Sequence, residues 1–312
     1  MRPDRLVLRD AAETLDDAGL TASITVRDLG TGRELALDPD VAYPLASVVK
    51  LPLALTVLRR ASTRDGADGD GGDVRALDAA VELDPSARTP GLTGLCRFEH
   101  PARVAVEDLL YLAMCVSDDT AADALFARFP PAEVTALLRE LGIAEITVRH
   151  SIQDLHETLA ARLTPDEMPQ ALALAIQAST RGGGHLVPQL DVTHANAGTS
   201  RAVVDLLERI WTDPRLARER APLRRLLGMN LMRHRLAPDL ESDDAAWFSK
   251  TGTFLHLRHE VGVLEHADGG VFAIAVLSES SVPARLQPGA EQALGHAARL
   301  LHDQVRATRT PR

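Results

Sequence analysis

Cysteine is scarce in this 312-residue chain, which holds only Cys96 and Cys115. Two thiols are too few for a disulfide framework and lack the close paired spacing of a zinc site, so both read as free thiols. Long apolar runs are missing as well. The longest, such as residues 109–116, fall well short of the ~20 residues that span a bilayer. The first twenty residues scatter charges through every short window, without the apolar stretch of a secretory signal. A cytoplasmic protein without a membrane segment is the expectation. Basic side chains are outnumbered, 34 against 44 acidic ones, for a formal charge of −10. Such a charge repels phosphate backbones and anionic bilayers, which argues against nucleic acid or a membrane as partner. What remains is ordinary globular material, 45% hydrophobic and 25% charged, with length enough for a substantial core.

Hydrophobic spacing divides the chain into three stretches. Leu6, Leu8, Ala11, Ala12, Leu15 and Leu20 recur at helical intervals and predict one amphipathic helix. A hairpin follows: residues 23–28 alternate polar and apolar, Gly30-Thr31-Gly32 makes the turn, and residues 33–38 supply a second strand. An apolar helix is expected over 48–60, starting just after Ser47. The Gly/Asp-rich segment 62–73 reads as a flexible surface insertion. From about 104 to 240 the pattern is helical, with starts at Val106, at Pro131, and at Thr164-Pro165, where Thr164 caps and Pro165 takes the first turn. Strands return over 246–252, 257–265 and 271–278, with Asp268-Gly269-Gly270 as the last hairpin turn, and a final helix covers 290–304. The expected fold is therefore α/β (α+β): an antiparallel sheet flanked by helices, with an inserted all-helical lobe. The 312 residues read as a single domain, 1–45 plus 241–312 forming the sheet lobe and 46–240 the helical lobe.

Three short motifs sit at the joints of this plan: Ser47-Val48-Val49-Lys50, Ser117-Asp118-Asp119 and Lys250-Thr251-Gly252. At a helix start, Ser47 has free backbone N–H groups and the positive dipole end to favour a developing oxyanion. Lys50, three residues on, can reach its hydroxyl. Burial and a second cation such as Lys250 would lower that lysine's proton affinity and let it act as base, activating a serine without histidine. Singly, such motifs are common; Ser47 and Lys50 alone would be an ordinary helix start with a solvated lysine.

In order and spacing the three motifs resemble the serine β-lactamase and penicillin-binding protein superfamily, and the layout is most similar to the class A β-lactamase group, over nearly the whole chain. The resemblance implies that Ser47 is acylated, Lys50 is the acylation base, and Ser117 relays a proton to the leaving atom. It implies that Lys250 steadies Ser117 and attracts a substrate carboxylate, which Thr251 hydrogen-bonds beside Gly252. The backbone N–H groups of Ser47 and Thr253 would form the oxyanion hole. Arg258, at the start of the next strand, matches a family arginine that also binds this carboxylate, across a shorter turn.

Two departures bear on function. The family's middle motif ends in asparagine, whose amide donates to the substrate's acylamino carbonyl, whereas Asp119 only accepts. A different polar group is expected at that subsite, although Asp119 reads equally as a helix cap; Asp118 reads as structural. The family's deacylating Glu-x-x-x-Asn loop is also missing: counting places Gln153 or Asp154 nearest the absent base, Glu157 is a further candidate, and none is followed four positions later by asparagine. Fast release of an acyl-enzyme then lacks a general base, worth roughly 10²–10⁴-fold.

Seven arginines between 215 and 235 read as a solvated helical face, with an anion-binding patch as the sharper alternative. His256 and His259 would face opposite sides of a strand, so no metal is expected; nor is any cofactor. Cys115 reads as a packed core thiol. The leading functional expectation is a Ser47-dependent hydrolase acting on a carboxylate-bearing ester, amide or lactam, an intracellular hydrolase or tailoring enzyme of small metabolites, with a small-molecule substrate as partner. The alternatives are a true class A β-lactamase and a non-turnover β-lactam-binding or sensor protein.

Overall fold

The computed structural model describes residues 2–62, 75–164, 166–167 and 170–307. In chain order the helices are α1 (Asp4–Asp17), α2 (Lys50–Ser62), α3 (Val106–Cys115), α4 (Asp119–Phe126), α5 (Pro131–Glu140), α6 (Ile152–Arg162), α7 (Ala171–Ala175), α8 (Ser200–Thr212), α9 (Ala217–Gly228), α10 (Ala237–Leu240) and α11 (Pro288–Arg306). The strands are β1 (Leu20–Asp28), β2 (Glu34–Leu37), β3 (Ala42–Pro44), β4 (Ala80–Leu83), β5 (Ala102–Ala105), β6 (Ala197–Thr199), β7 (Ala245–Phe254), β8 (Leu257–His266) and β9 (Val271–Ser280). Most of the expected insertion at 62–73 and Pro165 of the Thr164 helix start lie outside the described residues. At Thr164 itself, the backbone N–H and the hydroxyl both donate to Glu167, at 2.8 and 2.9 Å.

Both ends of the chain build one antiparallel sheet in the order β2-β1-β9-β8-β7. Strand β9 reads as a nearly unbroken apolar run because both of its faces are covered. Phe272, Ile274 and Val276 point into the cluster beneath α1 and α11, which also holds Val7, Ala11, Trp247 and Leu301. Ala273, Ala275 and Leu277 point the other way, into the cluster shared with α2, α3 and α8. The helical middle of the chain thus lends α8 to the sheet as a covering layer. Two buried strand hydroxyls are satisfied there, since Ser23 donates to Ser200 Oγ at 2.6 Å and Thr25 lies 2.7 Å from it. Two small ribbons, β3 with β6 and β4 with β5, lie outside that sheet. Their three- and four-residue strands are too short for a period of two to register in a sequence.

Candidate active site

The segment carrying Ser47 is fixed from below. Strand β3 pairs with β6, the Leu45 N–H donates to the Asn196 carbonyl at 2.7 Å, and Ala46 takes a left-handed φ of 46°. Residues 46–49 then form a 3₁₀ turn, so the α-helix proper begins at Lys50 and not immediately after Ser47. The tighter turn eclipses residues three apart, which sets Ser47 and Lys50 on one side. Val48 and Val49 are buried beneath them, while Ser47 stays half-buried.

Ser117 is the second left-handed residue at the cleft, with φ 58°. Such conformations cost a side chain roughly 1–3 kcal/mol and persist where the surroundings over-determine them. Here the Lys50 ammonium donates to the Ser117 carbonyl at 2.7 Å. The Ser117 hydroxyl is 3.2 Å from Lys50 Nζ and 3.0 Å from Lys250 Nζ. Both lysines are fully buried, and the Lys250 amine donates further to the Thr251 carbonyl at 2.8 Å. Burial, with the Lys50 charge beside it, pushes Lys250 well below the ordinary range of a lysine.

The two aspartates after Ser117 divide their work. Asp118 is the cap of α4: it is buried and accepts from the Ala121 N–H at 3.1 Å and the Leu95 N–H at 2.7 Å. Gly94, with φ 81°, leaves the room, since a Cβ there would stand 2.1 Å from Asp118 Oδ2. Asp119 therefore does not cap. Its Oδ1 accepts from Lys50 Nζ at 2.6 Å, and its Oδ2 lies 3.6 Å from His156 Nε2. Burial alone would raise this carboxyl, but the Lys50 ammonium and the adjacent His156 outweigh it and hold it at about 2.

His156 arrives on α6, the helix standing where the sequence lacks the Glu-x-x-x-Asn pattern. Asp123 pins the start of α6 by accepting from the Ile152 and Gln153 N–H groups, both at 2.7 Å, and from the Thr89 hydroxyl at 2.5 Å. Burial pushes the Asp123 carboxyl up to about 6 against those hydrogen bonds. The three candidates for a hydrolytic base, Gln153, Asp154 and Glu157, are exposed on this helix. Asp154 completes a capping box with Ser151, and Gln153 donates to Glu157 at 2.5 Å.

On the opposite wall, β7 runs against the nucleophile turn. Gly252 makes the approach possible: a Cβ there would meet the Leu45 carbonyl at 2.9 Å, Val48 Cγ2 at 3.0 Å and His259 Cδ2 at 3.2 Å. Its place in the site is thus close packing. Thr251 is buried in register with Glu260, and Thr253 is exposed, its Oγ1 accepting from Arg235 Nη2 at 2.7 Å. Arg258, expected to face a substrate carboxylate, does not. Its buried guanidinium donates to the Leu255 and Leu257 carbonyls at 2.6 and 2.9 Å and lies 3.5 Å from Glu291. The buried Arg235 is the guanidinium that reaches Thr253 instead, and it also donates to the His259 and Gly252 carbonyls at 2.7 and 3.1 Å and pairs with Glu291. Two guanidinium groups, those of Arg235 and Arg258, share the Glu291 carboxylate. His259, held neutral by burial at about 3, donates from Nε2 to the Pro44 carbonyl at 2.8 Å and accepts the Ser278 N–H at Nδ1, tying the sheet to the nucleophile turn. Among the described residues no group of three or more His, Cys, Asp or Glu side chains is arranged to hold a metal. No helix among them is long and apolar enough to cross a membrane.

A family model described as the β-lactamase enzyme family matches residues 8–305. The chain belongs to that family. It is 54% identical, over 96% of its own length and 97% of the relative's, to the β-lactamase regulatory protein BlaB of Streptomyces cacaoi. The fold is also that of a β-lactamase from Sphaerobacter thermophilus DSM 20745, with a TM-score of 0.74 at 19% identity, covering 98% and 99% of the two chains. PBP-A superposes with a TM-score of 0.73 at 16% identity, over 98% of each.

Within this β-lactamase-type cleft the structure brings together Lys50, Ser117, Lys250 and Asp119, with Ser47 one 3₁₀ turn before Lys50. Sequence reasoning missed two members. Arg235 was one of seven arginines on an apparently solvated face, and most of that face is indeed solvated and paired, as Arg215 is with Asp213, Arg224 with Glu265 and Arg225 with Glu107. The available signal was position: Arg235 lies beyond the end of α9, next to the apolar Leu236. His156 carried no signal, because its approach to Asp119 depends on how Asp123 docks α6.

Proposed function

We propose that the protein is a β-lactam-responsive acyl-enzyme former with slow release. Ser47 Oγ adds to the lactam carbonyl, the ring C–N bond breaks, and the hydroxyl proton reaches the freed ring nitrogen through Ser117, leaving a Ser47 ester. The backbone N–H groups of Ser47 and Thr253 are assigned to the oxyanion, and Thr251, Thr253 and the positive charge of Arg235 to the substrate carboxylate. The observation carrying the reading is the Ser117 hydroxyl held between Lys50 at 3.2 Å and Lys250 at 3.0 Å. Slow release follows from α6, whose Asp154 and Glu157 are exposed and engaged in its own first turns.

The relative at 54% identity is named as a regulatory protein, which favours a responsive role for the acylated form over a hydrolase or tailoring enzyme of small metabolites. A small-molecule ligand and a cytoplasmic location belong to the proposal, the latter because Cys96 and Cys115 are both free thiols, as suits a reducing compartment. Intact-protein mass spectrometry after exposure to a penicillin tests the chemistry. A Ser47-dependent adduct that outlasts the assay supports it, and steady turnover of a chromogenic cephalosporin would return the protein to the ordinary β-lactamases.

A further inference from the structure

The chain contains only two lysines, Lys50 and Lys250, and both lie against the Ser117 hydroxyl; its other basic side chains are arginines and histidines. A guanidinium does not give up its proton in a protein, whereas a buried amine does, so the chain keeps lysine only where a cation can become a base. The surroundings of the two differ. Lys50 Nζ donates to Asp119 Oδ1 at 2.6 Å, to the Ser117 carbonyl at 2.7 Å and to Ser117 Oγ at 3.2 Å. Three acceptors, one of them an ionised carboxylate, take the three N–H groups of an ammonium and leave no lone pair for a proton. Among the described residues no hydrogen bond joins Lys50 to the Ser47 hydroxyl.

Lys250 Nζ has two partners, the Thr251 carbonyl at 2.8 Å and Ser117 Oγ at 3.0 Å, and no carboxylate within ion-pair distance among the described residues. Burial opposes its charge, and so do Lys50 on α2 and Arg235 beyond the end of α9. Asp119 on α4 and Cys115 at the end of α3 act the other way. Asp119 is already paired with Lys50, however, and burial pushes the Cys115 thiol up to about 11, so it stays uncharged. A neutral amine satisfies both contacts, with one N–H donated to Thr251 and the lone pair accepting the Ser117 O–H. Ser117 then accepts from Lys50 and donates to Lys250, which gives its hydroxyl a direction.

We propose, on the reading of Ser47 as the acylated residue, that Lys250 and not Lys50 is the proton acceptor for acylation, Lys50 being a fixed cation that positions Ser117. This reverses the roles that the resemblance implies for the two lysines. As the bond from Ser47 Oγ to the lactam carbonyl carbon forms, the Ser47 proton passes to Ser117 Oγ and the Ser117 proton to Lys250 Nζ, making an ammonium. When the ring C–N bond breaks, its electron pair stays on nitrogen, which takes a proton from Ser117; Ser117 recovers one from Lys250, and the amine ends neutral. Asp119 remains ionised throughout.

Because there are only two lysines, NMR of the full chain with lysine isotopically labelled at Cε gives one signal for each, assigned with Lys50→Arg and Lys250→Arg. From about pH 5 to 10 the Lys250 signal should move from ammonium to amine over the interval in which fluorophosphonate acylation of Ser47 accelerates, while the Lys50 signal keeps its ammonium position through that interval. Lys250→Arg should lower acylation roughly 10²–10⁴-fold and flatten its rise with pH, whereas Lys50→Arg, which retains a cation beside Asp119, should keep the rise. A Lys50 signal that moves with the rate, a Lys250 signal that stays an ammonium through the rise, or a rise kept by Lys250→Arg and lost in Lys50→Arg overturns the assignment. Failure of both fluorophosphonate and penicillin to acylate Ser47 overturns the acyl-enzyme reading and the transfer with it. The two lysine signals keep that failure distinct, since they need no reaction.

Discussion

Lys50 Nζ stands 2.6 Å from Asp119 Oδ1 while also donating to the Ser117 carbonyl, so the lysine beside the nucleophile is the buried half of a partly buried ion pair. The other lysine, Lys250, has no carboxylate within ion-pair distance among the described residues and is pushed toward its neutral form by burial. The two should therefore respond differently to removal. Lys50→Met strands the Asp119 carboxylate, whereas Lys250→Met removes a group whose charge was already disfavoured. Chemical unfolding at pH 7 should show the larger stability loss, by about 2 kcal/mol or more, for Lys50→Met. Acylation by a fluorophosphonate should fall in both, by roughly 10²–10⁴-fold. Equal stability losses would count against the asymmetry.

Acid should reveal the same pair. The Asp119 carboxyl is held at about 2 in the folded chain against an ordinary 3.8. A depressed acid contributes stability that is full above its unfolded value and disappears as pH falls through its folded value. Wild type should therefore lose up to about 2 kcal/mol relative to Asp119→Asn between pH 4 and 2. Denaturant titrations across that range check it; parallel stability curves for the two proteins would refute it.

Gly252 sits where β7 touches the nucleophile turn, and a Cβ would face the Leu45 carbonyl at 2.9 Å. Because that neighbour is backbone, Gly252→Ala must move either the strand or the turn, at a cost of about 1–3 kcal/mol. Acylation should fall about a hundredfold, as expected for a misplacement near 1 Å. A melting curve alongside a fluorophosphonate-labelling time course separates the two effects.

Asp123 holds α6 through two backbone N–H groups and the Thr89 hydroxyl. Asp123→Ala should cost about 1–3 kcal/mol for the groups left unpaired. It should also speed hydrogen exchange at Ile152 and Gln153 ahead of the rest of the chain, and unchanged exchange there would show that α6 is anchored elsewhere.

Legibility followed the range of the interactions. The sheet strands and terminal helices showed in the sequence because their two- and 3.6-residue periods are local. The cleft's polar centre was legible because Ser47–Lys50, Ser117–Asp119 and Lys250–Gly252 are each contiguous motifs. Arg258 misled: its guanidinium is drawn to the Leu255 and Leu257 carbonyls and to Glu291, a partner 33 positions away on α11. Arg235 and His156 were missed for the same reason, since Thr253, Glu291 and Asp119 reach them only through tertiary packing. The choice between cap and substrate contact at Asp119 could not be read either, because Asp118 competes for the cap and wins it through the Leu95 and Ala121 N–H groups.

The central claim is tested most directly by following the mass of the intact wild type and a Ser47→Ala variant over time after a pulse of penicillin. The account predicts a single wild-type adduct of the full mass of the opened lactam, absent from Ser47→Ala and persisting long after free drug is removed. No wild-type adduct, or one equally present without Ser47, would contradict it.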